Sequence, residues 1–159
     1  MNKSVCAFLV FALACLMCAI PAALADPKFS ERDIKGPYGF AFDGFVGAAP
    51  GAPTGATLLV ASVGRFTADG RGNLNDGVRT LVVGGNAVQQ TFTCNYTVNG
   101  DGTGHADCLV TPVTPPTPPD EHFDFVIVNK GDEAYFTAVP ATGQGAGTTT
   151  IRGLVKRQR

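Results

Sequence analysis

Residues 91–112 read TFTCNYTVNGDGTGHADCLVTP. Phe92, Cys94, Tyr96 and Val98 alternate with Thr91, Thr93, Asn95 and Thr97, the period-2 pattern of a strand with one apolar face. Asn99, Gly100, Asp101 and Gly102 are residues that accept positive φ, which a tight reversal requires. A turn centred on Asp101 sets Cys94 opposite Cys108, Tyr96 opposite Ala106 and Phe92 opposite Val110. Both sulfurs then share the apolar face, and His105 and Asp107 share the polar face with Asn95 and the threonines. The stretch is a β-hairpin with a disulfide between Cys94 and Cys108.

That disulfide assigns a compartment, and the N-terminus agrees. Lys3 precedes an almost unbroken apolar run from Val5 to Ile20, and Ala23-Leu24-Ala25 is a small-x-small cleavage site. Residues 1–25 therefore read as a secretory signal peptide. The run is shorter than the roughly 20 residues a spanning helix needs, so no membrane partner is expected after cleavage. Cleavage removes Cys6, Cys15 and Cys18 and leaves only Cys94 and Cys108. Two cysteines in an oxidising compartment pair with each other. No further ligand accompanies them, so they do not make a metal site. The expected location is secreted or periplasmic.

The remaining 134 residues carry 11 basic and 13 acidic side chains, because Lys3 is the one charge lost. A net charge of −2 without a basic stripe excludes nucleic acid as the expected partner. The length suits one domain with one core. Asp26 to Lys35 is a polar arm with a helical turn at most. From residue 36 onward, short apolar runs alternate with turn signals, and no 3.6-residue period appears. The expected strands are Tyr38–Val46, Thr57–Thr67, Asn73–Val83, Val88–Val98, His105–Thr111, His122–Asn129, Ala134–Val139 and Thr148–Lys156. Short links make neighbouring strands antiparallel. Eight such strands hide their edges by closing into an up-and-down barrel. The link from Pro112 to Glu121, with its run of prolines, reads as a stiff strap over the barrel mouth.

Several stretches together carry a resemblance: GPYGFAFDG at 36–44, GRFTADGRGNLNDG at 64–77, CNYTVNGDGTG at 94–104, FDFVIVNKGDEAYFTAV at 123–139 and GLVKRQ at 153–158. The pattern resembles small secreted bacterial β-barrel proteins of unassigned function. Their calycin-like meander is similar to the barrels of lipocalins and allene oxide cyclase. The resemblance implies an eight-stranded barrel, and it implies a glutamate inside the barrel if the chain is a cyclase. Glu31, Glu121 and Glu133 all fall outside the expected strands or at their ends, so no catalytic residue is carried over.

Three kinds of site are weighed. Asp69 to Asp76 has the oxygen-rich flavour of a calcium loop, but Arg71 stands where an oxygen is wanted and no bidentate Glu follows. It reads as a hairpin turn. His105 with Asp107, and His122 with Asp124, have the spacing of acid–base pairs or metal ligands. Both histidines open strands, where solvated residues are ordinary, so surface or rim roles are expected, with no metal and no cofactor. The aromatic faces carry more weight: they either fill the barrel as its core or line an apolar cavity, in which case Tyr38, Phe40, Phe42, Phe92 and Tyr96 are the candidate ligand-binding residues. The tyrosine hydroxyls would be the few polar anchors of an apolar cavity.

The functional reading is a secreted barrel that binds a small apolar or aromatic molecule in its interior. One alternative is a barrel cyclase or isomerase, for which Arg65, Asp76, Asp124 and Arg152 are the ionisable candidates. The other is a structural or surface-interaction protein, and apolar residues on both faces of the sixth strand point to a homo-oligomer.

Overall fold

The computed structural model describes residues 28–47, 53, 55–113, 120–140 and 149–159. The signal peptide 1–25 with its three cysteines, most of the strap 112–121 and most of the link 140–147 lie outside the described residues. Eight strands run in chain order: β1 Lys35–Gly47, β2 Thr57–Asp69, β3 Asn73–Val83, β4 Asn86–Val98, β5 Thr103–Thr111, β6 Asp120–Val128, β7 Glu133–Val139 and β8 Thr150–Arg157. Each pairs antiparallel with the next, and β8 returns to β1 to close the barrel. All eight expected strands are present, with ends shifted by at most three residues. Among the described residues, no helix is long and apolar enough to cross a membrane.

The hairpin of β4 and β5 has the register its turn dictates. Cys94 faces Cys108, Tyr96 faces Ala106 and Phe92 faces Val110. The two sulfurs are bonded. Asp101 closes the turn by accepting the amide and the hydroxyl of Thr103, at 2.9 and 2.7 Å. The suspected calcium loop is likewise a turn. The Asp69 carboxylate accepts the amides of Arg71 and Asn73 and the side-chain amide of Asn73, at 2.7, 3.0 and 2.7 Å. Its oxygens are thus occupied by the loop's own donors.

Alternation along each strand sends one set of side chains inward. In β3 the alternation breaks once. The β3–β4 register shifts between Leu74 and Gly77, and Asp76 takes φ +53°. Leu74 faces inward before this bulge. After it, Gly77, Arg79, Leu81 and Val83 are the buried set. A bulge of this kind adds one residue and flips the parity of the rest of the strand.

Glycines opposite phenylalanines shape the interior. Four inward phenylalanines each stand directly across from a glycine on a neighbouring strand: Phe40 from Gly64, Phe92 from Gly77, Phe125 from Gly104 and Phe136 from Gly153. In every pair the ring occupies the space where a Cβ on the glycine would sit. The rings therefore lie along the wall over bare backbone, the arrangement by which an aromatic covers a strand glycine. A ring laid along the wall does not fill the axis.

Apolar clusters pack toward both ends of the barrel. At one end Val46, Val60, Leu81, Val83 and Ile151 pack with Phe42. At the other, Tyr38 stacks on Phe66 at 5.5 Å, with Ala68 and Ile34 beside them. The polar arm crosses this second end and is held firmly there. Its helical turn, Glu31–Asp33, is a single 3-10 turn. The Tyr96 hydroxyl reaches the carbonyls of Glu31 and Ile34 at 3.1 and 2.9 Å. The Val98 amide donates to the Glu31 carboxylate at 3.1 Å, and the amides of Lys28 and Phe29 donate to the Gly100 carbonyl.

Candidate functional site

Between the two clusters lies a cavity of about 100 Å³. Phenylalanines are prominent in its wall: Phe40, Phe42, Phe66, Phe92, Phe123, Phe125 and Phe136 all border it, with both cystine residues. Phe40, Phe92, Phe123, Phe125 and Phe136 face inward yet are only partly buried. In a filled barrel these rings would be covered by one another. The rings touch their neighbours in a network along the wall, including Phe40 to Phe92 at 5.7 Å, Phe42 to Phe136 at 6.2 Å and Phe123 to Phe136 at 5.5 Å.

Tyr38, Phe40, Phe42, Phe92 and Tyr96 all border this cavity. The tyrosine hydroxyls are placed differently from the expectation. Tyr38 donates to the Gly131 carbonyl at 2.7 Å and accepts from Arg157 Nη2 at 2.9 Å. The Tyr96 hydroxyl is bound to the arm. Burial pushes the Tyr38 phenol above its ordinary value and the Tyr96 phenol up to about 12. Both hydroxyls therefore stay protonated and tie down the end cap, and only their rings are offered to the interior.

The interior polar group is one the sequence reading missed. Arg79 and Glu121 form a two-pronged ion pair across the barrel, both contacts 2.7 Å. The Arg79 side chain is 3% exposed and that of Glu121 12%. Arg79 Nε donates to Gln90 Oε1 at 2.8 Å, and Gln90 Nε2 donates to the Pro112 carbonyl at 2.7 Å. The guanidinium also lies 5.9 Å from the centre of the Phe42 ring. A buried guanidinium needs such a fork of acceptors to offset its lost hydration. Glu121 was expected to precede the sixth strand. It is instead the second residue of β6, facing Cys108 across the ladder and pointing inward. Arg65, Asp76, Asp124 and Arg152, the expected ionisable candidates, are all exposed. The signal for Arg79 was its shared parity with Leu81 and Val83, which the bulge at Asp76 obscured.

The outer face of β5 and β6 carries the histidines. The register sets His105 opposite Asp124 and Asp107 opposite His122. His105 Nδ1 is 2.7 Å from Asp124 Oδ1, and its Nε2 is 3.1 Å from Asp107 Oδ1. His122 Nδ1 is 2.6 Å from that same Asp107 oxygen. The hydrogen bond to Asp124, then the one to Asp107, raises the His105 pKa. The bond to His122, then that to His105, lowers the Asp107 pKa. The surface placement of both histidines is as expected, but the two pairs are one cluster.

Comparison with protein-family models, curated proteins and solved structures gives no match for this chain. The geometry of the barrel is thus the basis for any functional reading.

Proposed function

We propose that this chain is a secreted barrel that binds one small apolar or aromatic molecule in its interior. The observation that carries the reading is the row of inward phenylalanines laid over glycines, which leaves an aromatic-walled space on the barrel axis. Ligand sites combine such apolar walls with a few placed polar groups. The cavity volume, about 100 Å³, is on the scale of the engineered cavity of roughly 150 Å³ that admits benzene. A single ring or a short branched chain suits it. A larger guest requires the phenylalanine rings to swing from their glycines.

Arg79 supplies the polar element. The fork to Glu121 and the bond to Gln90 use three of its N–H groups, out of the five a guanidinium carries. The remaining donors suit a single oxygen on an otherwise apolar guest. The barrel cyclase reading also gains from an interior glutamate, but both Glu121 oxygens accept from Arg79. A carboxylate with both oxygens committed to a guanidinium is placed to hold that guanidinium, so binding is the better-supported reading. Secretion is supported by the disulfide, which suits an oxidising compartment. Intact mass of the exported protein checks it, with Asp26 expected as the first residue.

The test of binding is a titration of methyl-labelled protein with indole and with toluene, monitored by NMR. Saturable shifts of the Ala106, Val110 and Val155 methyls, all on the cavity wall, are the expected result. Uniform insensitivity of these methyls to both compounds refutes the reading.

A further inference from the structure

The histidine cluster lies outside the barrel and has no part in the interior reading. We infer that His105, Asp107 and His122 form a binding site for a first-row divalent cation of the zinc type on the outer face of β5 and β6. The three side chains can offer one ligand atom each, and those atoms all lie within 4.8 Å of one another. Two imidazole nitrogens, His105 Nε2 and His122 Nδ1, converge on Asp107 Oδ1 at 3.1 and 2.6 Å. Tetrahedral zinc with bonds of about 2.0–2.2 Å holds its ligand atoms about 3.4 Å apart. Rotations of surface side chains are enough to open the cluster to that spacing, because the strands already fix the backbone.

The next shell of partners is the one that metal-bound imidazoles use. A ligating histidine donates its other ring N–H to a carboxylate, which fixes its tautomer and strengthens it as a ligand. With Nε2 on the cation, the His105 Nδ1–H points at Asp124 Oδ1 at 2.7 Å. With Nδ1 on the cation, the His122 Nε2–H points toward Asp120 Oδ2 at 3.6 Å. That Nε2 is buried and has no hydrogen-bond partner in the described structure. One strand pair thus presents two ligand histidines, a ligand carboxylate and a second carboxylate behind each ring.

Charge favours a cation as well. Three carboxylates, Asp107, Asp120 and Asp124, surround the two rings. The flanking residues in register are Asn95 and Thr97 on β4 and Thr137 and Val139 on β7, none of them charged. Binding replaces the protons shared between the rings and Asp107, which pass to solvent. Two nitrogen ligands select a borderline metal over calcium or magnesium, which take oxygen shells. Three protein ligands leave a fourth position toward water, since the His105 side chain is 41% exposed.

The test uses untagged protein stripped with EDTA and titrated with zinc chloride at pH 7.5 in 0.15 M salt. The expected result is one zinc per chain at micromolar affinity or tighter. The variants His105→Gln and His122→Gln should each weaken it at least about tenfold, and Asp124→Asn about tenfold, as loss of such outer partners does. Magnesium and calcium should give no comparable binding. The urea midpoint of each variant in EDTA verifies that it folds. The wild type gives an independent readout, because the chain has only two histidines. Zinc must shift the ring nitrogen resonances of both. No binding up to millimolar zinc, binding that survives the double variant His105→Gln/His122→Gln, or ring resonances that do not move would each overturn the inference.

Discussion

Replacing Glu121 with alanine strands a guanidinium inside the barrel. The Arg79 side chain is 3% exposed and donates both prongs of its fork to the Glu121 carboxylate at 2.7 Å. Breaking a buried pair by removing one partner costs about 3–5 kcal/mol, because the remaining charge stays desolvated. Gln90 still accepts from Arg79 Nε, and the cavity admits water beside the lost carboxylate. The expected cost therefore sits at the lower end, about 3 kcal/mol. That is a large part of the 5–15 kcal/mol total of an ordinary domain. With a urea m-value of about 2 kcal/mol/M, the unfolding midpoint should fall by about 1.5 M. The double variant Arg79→Met/Glu121→Leu removes both charges and keeps the volume apolar. It should recover most of the loss, since well-packed apolar replacements of buried pairs are near neutral or stabilising. Gln90 then keeps its bond to the Pro112 carbonyl but loses the Arg79 donor, which costs about 1 kcal/mol. The assay is equilibrium urea unfolding at pH 7 of the wild type, Glu121→Ala, and the cycle made of Arg79→Met, Glu121→Leu and their double variant. A Glu121→Ala cost below about 1 kcal/mol would refute the reasoning. So would a double variant whose loss equals the sum of the Arg79→Met and Glu121→Leu losses, which would mean the residues do not interact.

The same geometry sets three further outcomes. Cys94 and Cys108 are 14 residues apart, so the alanine double variant should lose about 3 kcal/mol in urea unfolding, the value for a closed loop of this size. An unchanged midpoint would contradict it. Gly104→Ala puts a methyl group where the Phe125 ring and the Thr97 carbonyl lie. It should cost about 1–3 kcal/mol by overpacking and, by pushing the ring inward, weaken indole binding, so a variant with normal stability and affinity would break the ring-on-glycine argument. The acid limb of stability depends on the turns. Asp69 is held low first by its bond from the Asn73 side chain, and Asp101 first by that from the Thr103 side chain. Glu31 is held low by its own amide and then by that of Val98. A depressed folded pKa gives stability that is present above the unfolded value near 4 and is lost as pH falls through the folded value. Asp69→Asn and Asp101→Asn should therefore flatten the fall in melting temperature below pH 4, and an unaltered slope would contradict this.

The architecture was largely legible because hairpins carry their own register. The reversal at Asp101 placed Cys94 on Cys108, and short turns elsewhere left a meander with no topology but an antiparallel one. The interior was less legible. Aromatic faces named the wall, yet nothing local revealed that Phe40 would meet Gly64 or that Phe136 would meet Gly153, because those pairings join different runs of sequence. Arg79 was hidden by one extra residue at Asp76, which reversed the parity of β3. Glu121 was hidden by a strand start two residues earlier than the apolar run suggests. The arm looked unattached because its partners, Tyr96, Val98 and Gly100, lie some 65 positions away in the chain. The two histidine pairs became one cluster only through the β5–β6 register.

The account rests on a hollow, aromatic-walled barrel, and a crystal structure under xenon pressure tests that most directly. It predicts xenon on the barrel axis among Phe40, Phe92, Phe123, Phe125 and Phe136, with Phe40, Phe92, Phe125 and Phe136 lying over their glycines. An interior packed solid by those rings, with no xenon bound, would contradict it.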